Sequence, residues 1–323
     1  MLSKLRIGLI ISVGILTVIG AVSVGKYAFL WGCEHQYSYI SPVARCATGE
    51  MSYTKAYEEF QADTEVWIDQ ERAKGTIIDA AVYFRDLQNG PWFGVNENDK
   101  FVPASLFKVP VMMAVLKQTQ VRPGLLDEVI TAPSVLPNIP TDTDDPKKTV
   151  LPNVSYTVED LLERMIMYSD NMAMDLLVRI LEHIVGGAHA SRQIYLDLGV
   201  LAAEDAQVIS VKSYASLFRV LYNARYLSRE MSEKALTMLS QTEFRDALVA
   251  GLPSDVPVAH KYGIHNIEGD RLFHDCGIIY HPIRPYLLCV MTRGNDLDKS
   301  VAFIADLSRR VYVQVEQNII PTW

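Results

Sequence analysis

Three short motifs in this chain of 323 residues carry side chains that could act together: SLFK at Ser105–Lys108, SDN at Ser169–Asn171 and KYG at Lys261–Gly263. A serine hydroxyl is a weak nucleophile until a neighbour takes its proton, and a lysine three residues further along a helix lies one turn away on the same face. Ser105 follows Pro103-Ala104 at the start of an apolar stretch, which puts it at the positive end of a helix dipole, where a developing alkoxide is favoured. An SxxK by itself says little, because about one is expected by chance in a chain of this length. SYTK at Ser52–Lys55 is a second copy; it opens an acidic, solvated helix ahead of any strand, where nothing would desolvate Lys55, and it is set aside. Taken singly, Ser105 reads as an ordinary helix-cap serine. SDN is rarer. It falls between two helical stretches, where side chains can project into a cleft, and KYG ends a strand-like run that would aim Lys261 from a sheet edge.

The elements that must hold these motifs are legible in the hydrophobic periodicity. Residues 53–74 carry apolar positions at helical spacing with charges between, and Gly75 is a natural stop. Ile77–Leu87 is β-branched and apolar, and Asn89-Gly90 marks a turn into a second strand. Near the other end, runs around Val256–Tyr262, from Arg271 and from Tyr286 read as three more strands, and the stretch from Asp296 as a closing helix. Between about 104 and 245 nearly everything reads helical, including LFKVPVMMAVLKQ after Ser105, a helix capped by Thr157 and Asp160, one from Met172, and two between 213 and 241. Residues 133–153, rich in Pro and Asp, read as a surface excursion. This order predicts an α+β fold in which an all-helical subdomain is inserted into an antiparallel sheet covered by terminal helices, and it requires strands from both ends of the chain to meet.

Composition bounds the class. With 49% hydrophobic and 21% charged residues the chain can bury a sizeable core. Its 38 acidic against 30 basic side chains, a net charge of -8, argue against a protein built to grip nucleic acid. Ile7–Gly25 is uncharged and long enough to cross a bilayer. Lys26 and the bulky Phe29–Trp31 that follow do not suit a cleaved signal peptide, and Trp31 does not suit a lipidation box before Cys33. Lys4 and Arg6 keep the amino terminus cytoplasmic and send the remainder outside. The expected organisation is a cytoplasmic tip and transmembrane anchor over 1–26, a juxtamembrane linker over 27–51, and one extracytoplasmic domain over 52–323. Cys33 and Cys46 could close a short loop in that oxidising space; Cys276 and Cys289 flank the turn HPIRP and read either as a hairpin disulfide or as two buried thiols. No CxxC, HExxH or clustered His spacing supports a metal site, and no cofactor is expected.

SxxK, SDN and KxG in this order, 64 residues from Ser105 to Ser169 and 92 from Ser169 to Lys261, resemble the active-site signature of the penicillin-recognising serine enzymes, the class A β-lactamases and related penicillin-binding DD-peptidases. The resemblance covers about residues 52–323. It implies that Ser105 attacks a carbonyl and becomes acylated, with Lys108 as proton acceptor or relay. Ser169 would pass the proton to the leaving nitrogen, and Asn171 would hold the substrate amide and orient Lys108. Lys261 would attract the substrate carboxylate, keep Ser169 polarised, and as a second cation favour a neutral Lys108. The backbone N–H groups of Ser105 and Ile264, the latter just after Gly263, would form the oxyanion hole. Asp170 braces its loop. The implied partners are a small β-lactam or a peptidoglycan peptide, together with the membrane through the amino-terminal helix.

The chain also departs from that pattern. After the helix ending near Val200 only LAAEDAQ precedes the next helical stretch, with no ExxLN sequence and Glu204 as its one glutamate. Without a base to activate the deacylating water, an acyl-enzyme would persist, as in penicillin-binding proteins. Tyr262 replaces the usual threonine or serine, and Cys276 stands where class A enzymes place an arginine; Arg271, Arg284 and Arg293 are the candidates to substitute. His265, His274 and Asp275 lie near the same strand edge, where they could line the cleft, and read as structural. Two alternatives follow: a penicillin-binding DD-peptidase with slow deacylation, and a non-catalytic cell-wall ligand sensor. A Ser-His-Asp hydrolase is disfavoured because the chain has no GxSxG elbow.

Overall fold

A computed structural model of the chain describes residues 38–40, 55–88, 90–139, 145, 147–186, 208–267 and 269–317. The expected anchor over 7–25, the Cys33–Cys46 pair and Glu204 lie outside these residues. Among the described residues no helix is long and apolar enough to cross a membrane.

Helix α1 (Lys55–Ala73) buries Tyr57, Trp67 and Ile68 on one stripe. It ends where Gly75 adopts a φ of 71° and the Thr76 N–H closes back on the Glu71 carbonyl, the left-handed stop that favours glycine. Then come β1 (Asp79–Asp86), β2 (Trp92–Val95) and the short β3 (Lys100–Phe101). A 3₁₀ turn (Ala104–Phe107) leads into α2 (Lys108–Gln118), whose residues Lys108–Leu116 are all buried. A helix buried on every side belongs at the centre of a domain, and α2 is the axis of the helical block. Around it lie α3 (Val158–Met167), α4 (Asn171–Val185), α5 (Val211–Tyr222) and α6 (Arg229–Ser240). Two small antiparallel pairs were not legible in the periodicity: β4 (Val129–Thr131) with β5 (Ser155–Thr157), and β3 with β6 (Ile209–Ser210). They are too short for alternation to register.

The chain closes with β7 (Val258–Ile267), β8 (Asp270–Ile279), β9 (Tyr286–Gly294) and α7 (Leu297–Gln317). The sheet is antiparallel in the order β2-β1-β9-β8-β7, so the two ends of the chain meet at β1 and β9, with Val82 opposite Val290. Strand alternation sorts side chains between two cores. Ala80, Val82, Phe84, Leu288 and Val290 face α1 and α7, where Trp67 stacks on Phe303 at 4.7 Å. Ala81, Tyr83, Leu287, Cys289 and Met291 face the helical block. Cys276 and Cys289, directly opposed on β8 and β9, are joined in a buried disulfide, which decides between the two readings of that pair.

A short piece of the region read as linker packs on this domain. The N–H groups of Ser38, Tyr39 and Ile40 donate to the Glu233 carboxylate on α6 at 2.5–3.0 Å. The Tyr280 hydroxyl donates to the Tyr39 carbonyl at 3.0 Å, and Ile40 is 1% exposed within the main core.

Candidate active site

The three motifs converge where the helical block meets β7, the free edge strand of the sheet. Ser105 lies in the 3₁₀ turn and Lys108 is the first residue of α2, so the one-turn spacing is tighter than the single helix expected there. The turn is held from behind by the Tyr214 hydroxyl, which donates to the Leu106 carbonyl at 2.9 Å. Ala104, just before Ser105, has a φ of 51°, a conformation that costs a residue with a Cβ about 1 kcal/mol or more and persists only where the surroundings impose it.

Ser169 has a φ of 60° in the turn between α3 and α4 and is fully buried. That twist aims both its carbonyl and its hydroxyl at Lys108. Asp170 is the N-cap of α4: its carboxylate accepts from the Met172 N–H at 2.8 Å and from the Val150 N–H at 2.7 Å, so it braces the loop below the site. Lys108 Nζ, with the side chain wholly buried, lies within hydrogen-bond distance of Ser105 Oγ at 2.8 Å, Ser169 O at 2.7 Å, Ser169 Oγ at 3.1 Å and Asn171 Oδ1 at 2.5 Å. Four of the predicted residues therefore form one hydrogen-bonded cluster around a buried amine.

The KYG motif closes the other wall. It sits in mid-strand, since β7 runs on to Ile267 and does not stop at KYG as its apolar pattern suggests. A Cβ on Gly263 would lie 3.0 Å from Ser105 N, 3.1 Å from Pro103 O and 3.2 Å from Ala104 Cβ. Glycine here is a requirement of close approach. Lys261, two residues earlier on the strand, shares that face and is fully buried. Its Nζ donates to the Tyr262 carbonyl at 3.1 Å and lies 4.1 Å from the centroid of the Tyr262 ring, which stacks on Phe244 at 4.4 Å. Tyr262, read as a departure from the usual threonine, thus supplies a π face to the lysine beside it. Ile264 is 37% exposed on the strand edge.

The remaining candidates divide. His265 is exposed, whereas His274 and Asp275 are buried. Asp275 bonds to His260 Nδ1 at 2.8 Å and to the Leu248 N–H. Arg284 pairs with Asp86, Arg293 with Asp79 and Asp270, and Arg271 is exposed, opposite Asn266. A cavity of about 500 Å³ between Phe101, Val102, Leu272 and Arg293 borders the segment ahead of Ser105 without including it. Among the described residues no cluster of three or more His, Cys, Asp and Glu could hold a metal. Tyr214 was not singled out in the sequence and His274 only as a residue near the strand edge, because the contact each makes is to a backbone carbonyl more than 100 residues away.

A serine whose hydroxyl is bonded to a buried lysine, at the seam between an antiparallel sheet and a helical block, defines a serine hydrolase of β-lactamase-like fold. The chain belongs to the beta-lactamase enzyme family, whose model matches residues 66–315. It is 29% identical over 244 residues to the extended-spectrum beta-lactamase PER-1 of Pseudomonas aeruginosa, covering 68% of this chain and 76% of that protein. It is 27% identical over 267 residues to a beta-lactamase of Streptomyces albus G, covering 74% and 80%. The solved structure of a variant of PBP-A, an acyl-enzyme complex with penicillin G, superposes with a TM-score of 0.68 at 23% identity, covering 84% of this chain and 99% of that one, which is a likeness of fold.

Proposed function

We propose that the protein is a membrane-anchored, extracytoplasmic serine hydrolase that opens β-lactam or D-Ala-D-Ala-like amide bonds through an acyl-enzyme on Ser105. The observation that carries this reading is the Lys108 amine, enclosed by Ser105 Oγ, Ser169 Oγ and Asn171 Oδ1. Lys108, wholly buried and in its neutral form, takes the Ser105 proton. Ser105 Oγ then bonds to the carbonyl carbon. The N–H groups of Ser105 and Ile264 stabilise the oxyanion, the C–N bond breaks, and Ser169 hands a proton to the leaving nitrogen, recovering it through Lys108. Lys261 draws in the substrate carboxylate, supplying local positive charge opposite in sign to the net -8 of the chain.

Slow deacylation, the behaviour of a penicillin-binding peptidase, is favoured by one specific feature. The stretch from Leu201 to Gln207 holds a single glutamate, Glu204, and no ExxLN sequence. The test is to incubate the full chain in mild detergent with labelled penicillin, map the adduct and follow its loss. A long-lived adduct on Ser105 supports the peptidase reading, and rapid loss with opened β-lactam accumulating supports a β-lactamase. Labelling that is the same in wild type and Ser105→Ala sinks the enzyme reading.

A further inference from the structure

We propose that His274 is a positioning residue for the nucleophile, holding the turn that carries Ser105 at its point of departure from the sheet. This rests on Ser105 being the nucleophile.

His274 is on β8, directly opposite Gly263 of β7, and is fully buried. Its Nδ1 lies 3.2 Å from the Thr292 N of β9 and its Nε2 lies 3.0 Å from the Val102 carbonyl oxygen. With the Phe273 backbone also beside the ring, the geometry of these two partners assigns its protonation. A backbone N–H can only donate, so Nδ1 must present its lone pair, and a carbonyl can only accept, so Nε2 must carry the proton. The ring is neutral in that arrangement. Burial agrees with it, pushing the imidazole down to about 4, with the nearby His265 acting in the same direction. The edge of the ring packs against Phe101 at a centroid distance of 5.6 Å.

Val102 is the first residue beyond β3, so its carbonyl lies outside the β3–β6 ladder. Pro103 follows and has no N–H to offer, and then come the left-handed Ala104 and Ser105. Gly263, the register partner of His274, supplies the surface against which Pro103 O and Ser105 N rest. One rung of the sheet therefore seats the turn twice: Gly263 by close contact and His274 by a hydrogen bond. A turn with a left-handed non-glycine residue relaxes if either is withdrawn.

Two substitutions separate positioning from packing. Asparagine places a polar atom near Nδ1 and glutamine near Nε2, so His274→Asn can keep the Thr292 contact while losing Val102, and His274→Gln can keep the donation to Val102. Acylation of Ser105 by a chromogenic β-lactam is measured in the full chain, per acylatable site, with Tm recorded alongside. His274→Asn should acylate at least about tenfold more slowly, with pre-covalent affinity unchanged, the size expected for a displaced nucleophile. His274→Gln should return to within about threefold of wild type. Equal rates per site for Asn, Gln and wild type, whatever their Tm, would overturn the inference.

Nitrogen NMR of ¹⁵N-histidine-labelled wild type is the second arm, and it needs neither variant nor substrate. A neutral Nε2–H tautomer maintained from pH 8 to 5.5 supports the inference; an Nδ1–H tautomer or an imidazolium at pH 6 overturns it. A wild type that forms no adduct would instead refute the proposed function, and the NMR arm would still decide the geometry of His274.

Discussion

Cutting the chain's own amino-terminal contact should cost the catalytic domain several kcal/mol. Ile40 is 1% exposed, and its removal to alanine leaves a hole in the main core that costs about 3 kcal/mol, within the 2–5 kcal/mol typical of such truncations. Glu233 accepts from three consecutive N–H groups, but Ser38 is exposed and Glu233 only half-buried, so Glu233→Ala should cost less, about 2 kcal/mol. For a domain of this size, each kcal/mol moves Tm by roughly 2–4 °C, so Ile40→Ala should melt roughly 6–12 °C below wild type. Both side chains hold the same three residues. Once Ile40 has left the core there is little for Glu233 to retain, so the double variant should melt near Ile40→Ala alone. Thermal unfolding of the full chain followed by near-ultraviolet circular dichroism, with hydrogen exchange read at the Tyr39 and Ile40 amides, measures both effects. Strict additivity, or wild-type amides exchanging at the rate of an unstructured peptide, would refute the reasoning.

Three other outcomes follow from the site. Lys108→Ala should slow adduct formation on Ser105 by about a thousandfold, as loss of a general base does, with folding checked by circular dichroism. Gly263→Ala should press a methyl group to within 3.0 Å of Ser105 N, slowing acylation by roughly tenfold and costing about 1–3 kcal/mol in urea denaturation. Stability should depend on pH through His274. The unfolded imidazole binds a proton near pH 6.5 and the folded one only near 4, so its contribution is whole above 6.5 and is lost as the pH falls through that window, by up to about 3 kcal/mol. Urea midpoints from pH 7.5 to 4 should show this slope, and His274→Gln should remove it.

What the chain wrote locally, it wrote clearly. The apolar runs of β1 and β9 and the largely apolar α2 need no partner to be read as strands and helix, whereas the sorting of Ala81, Tyr83, Leu287 and Met291 from Val82, Phe84, Leu288 and Val290 between two cores follows from the β1–β9 register. Ser105 and Lys108 are close in sequence, so their pairing could be inferred from helix geometry, while the roles expected of Ser169 and Asn171 came from the resemblance of the three motifs to a known family. Element order then required strands from both ends of the chain to meet, and β1 and β9 are the pair that does.

Other features depended on atoms brought from far along the chain. Whether Cys276 and Cys289 were bonded, whether Tyr262 faced Lys261, and whether residues 38–40 were linker or part of the domain are questions about distance between strands and helices, which a linear pattern does not contain. The role proposed for His274 rests on which carbonyl its ring meets, and that carbonyl, on Val102, precedes it by 172 residues. Sequence alone determined which side chains could do chemistry and the elements that carry them, because helix and strand periods are short-range. Only the tertiary structure decided how the turn that carries Ser105 is held, because holding it takes backbone carbonyls, and every residue type carries one.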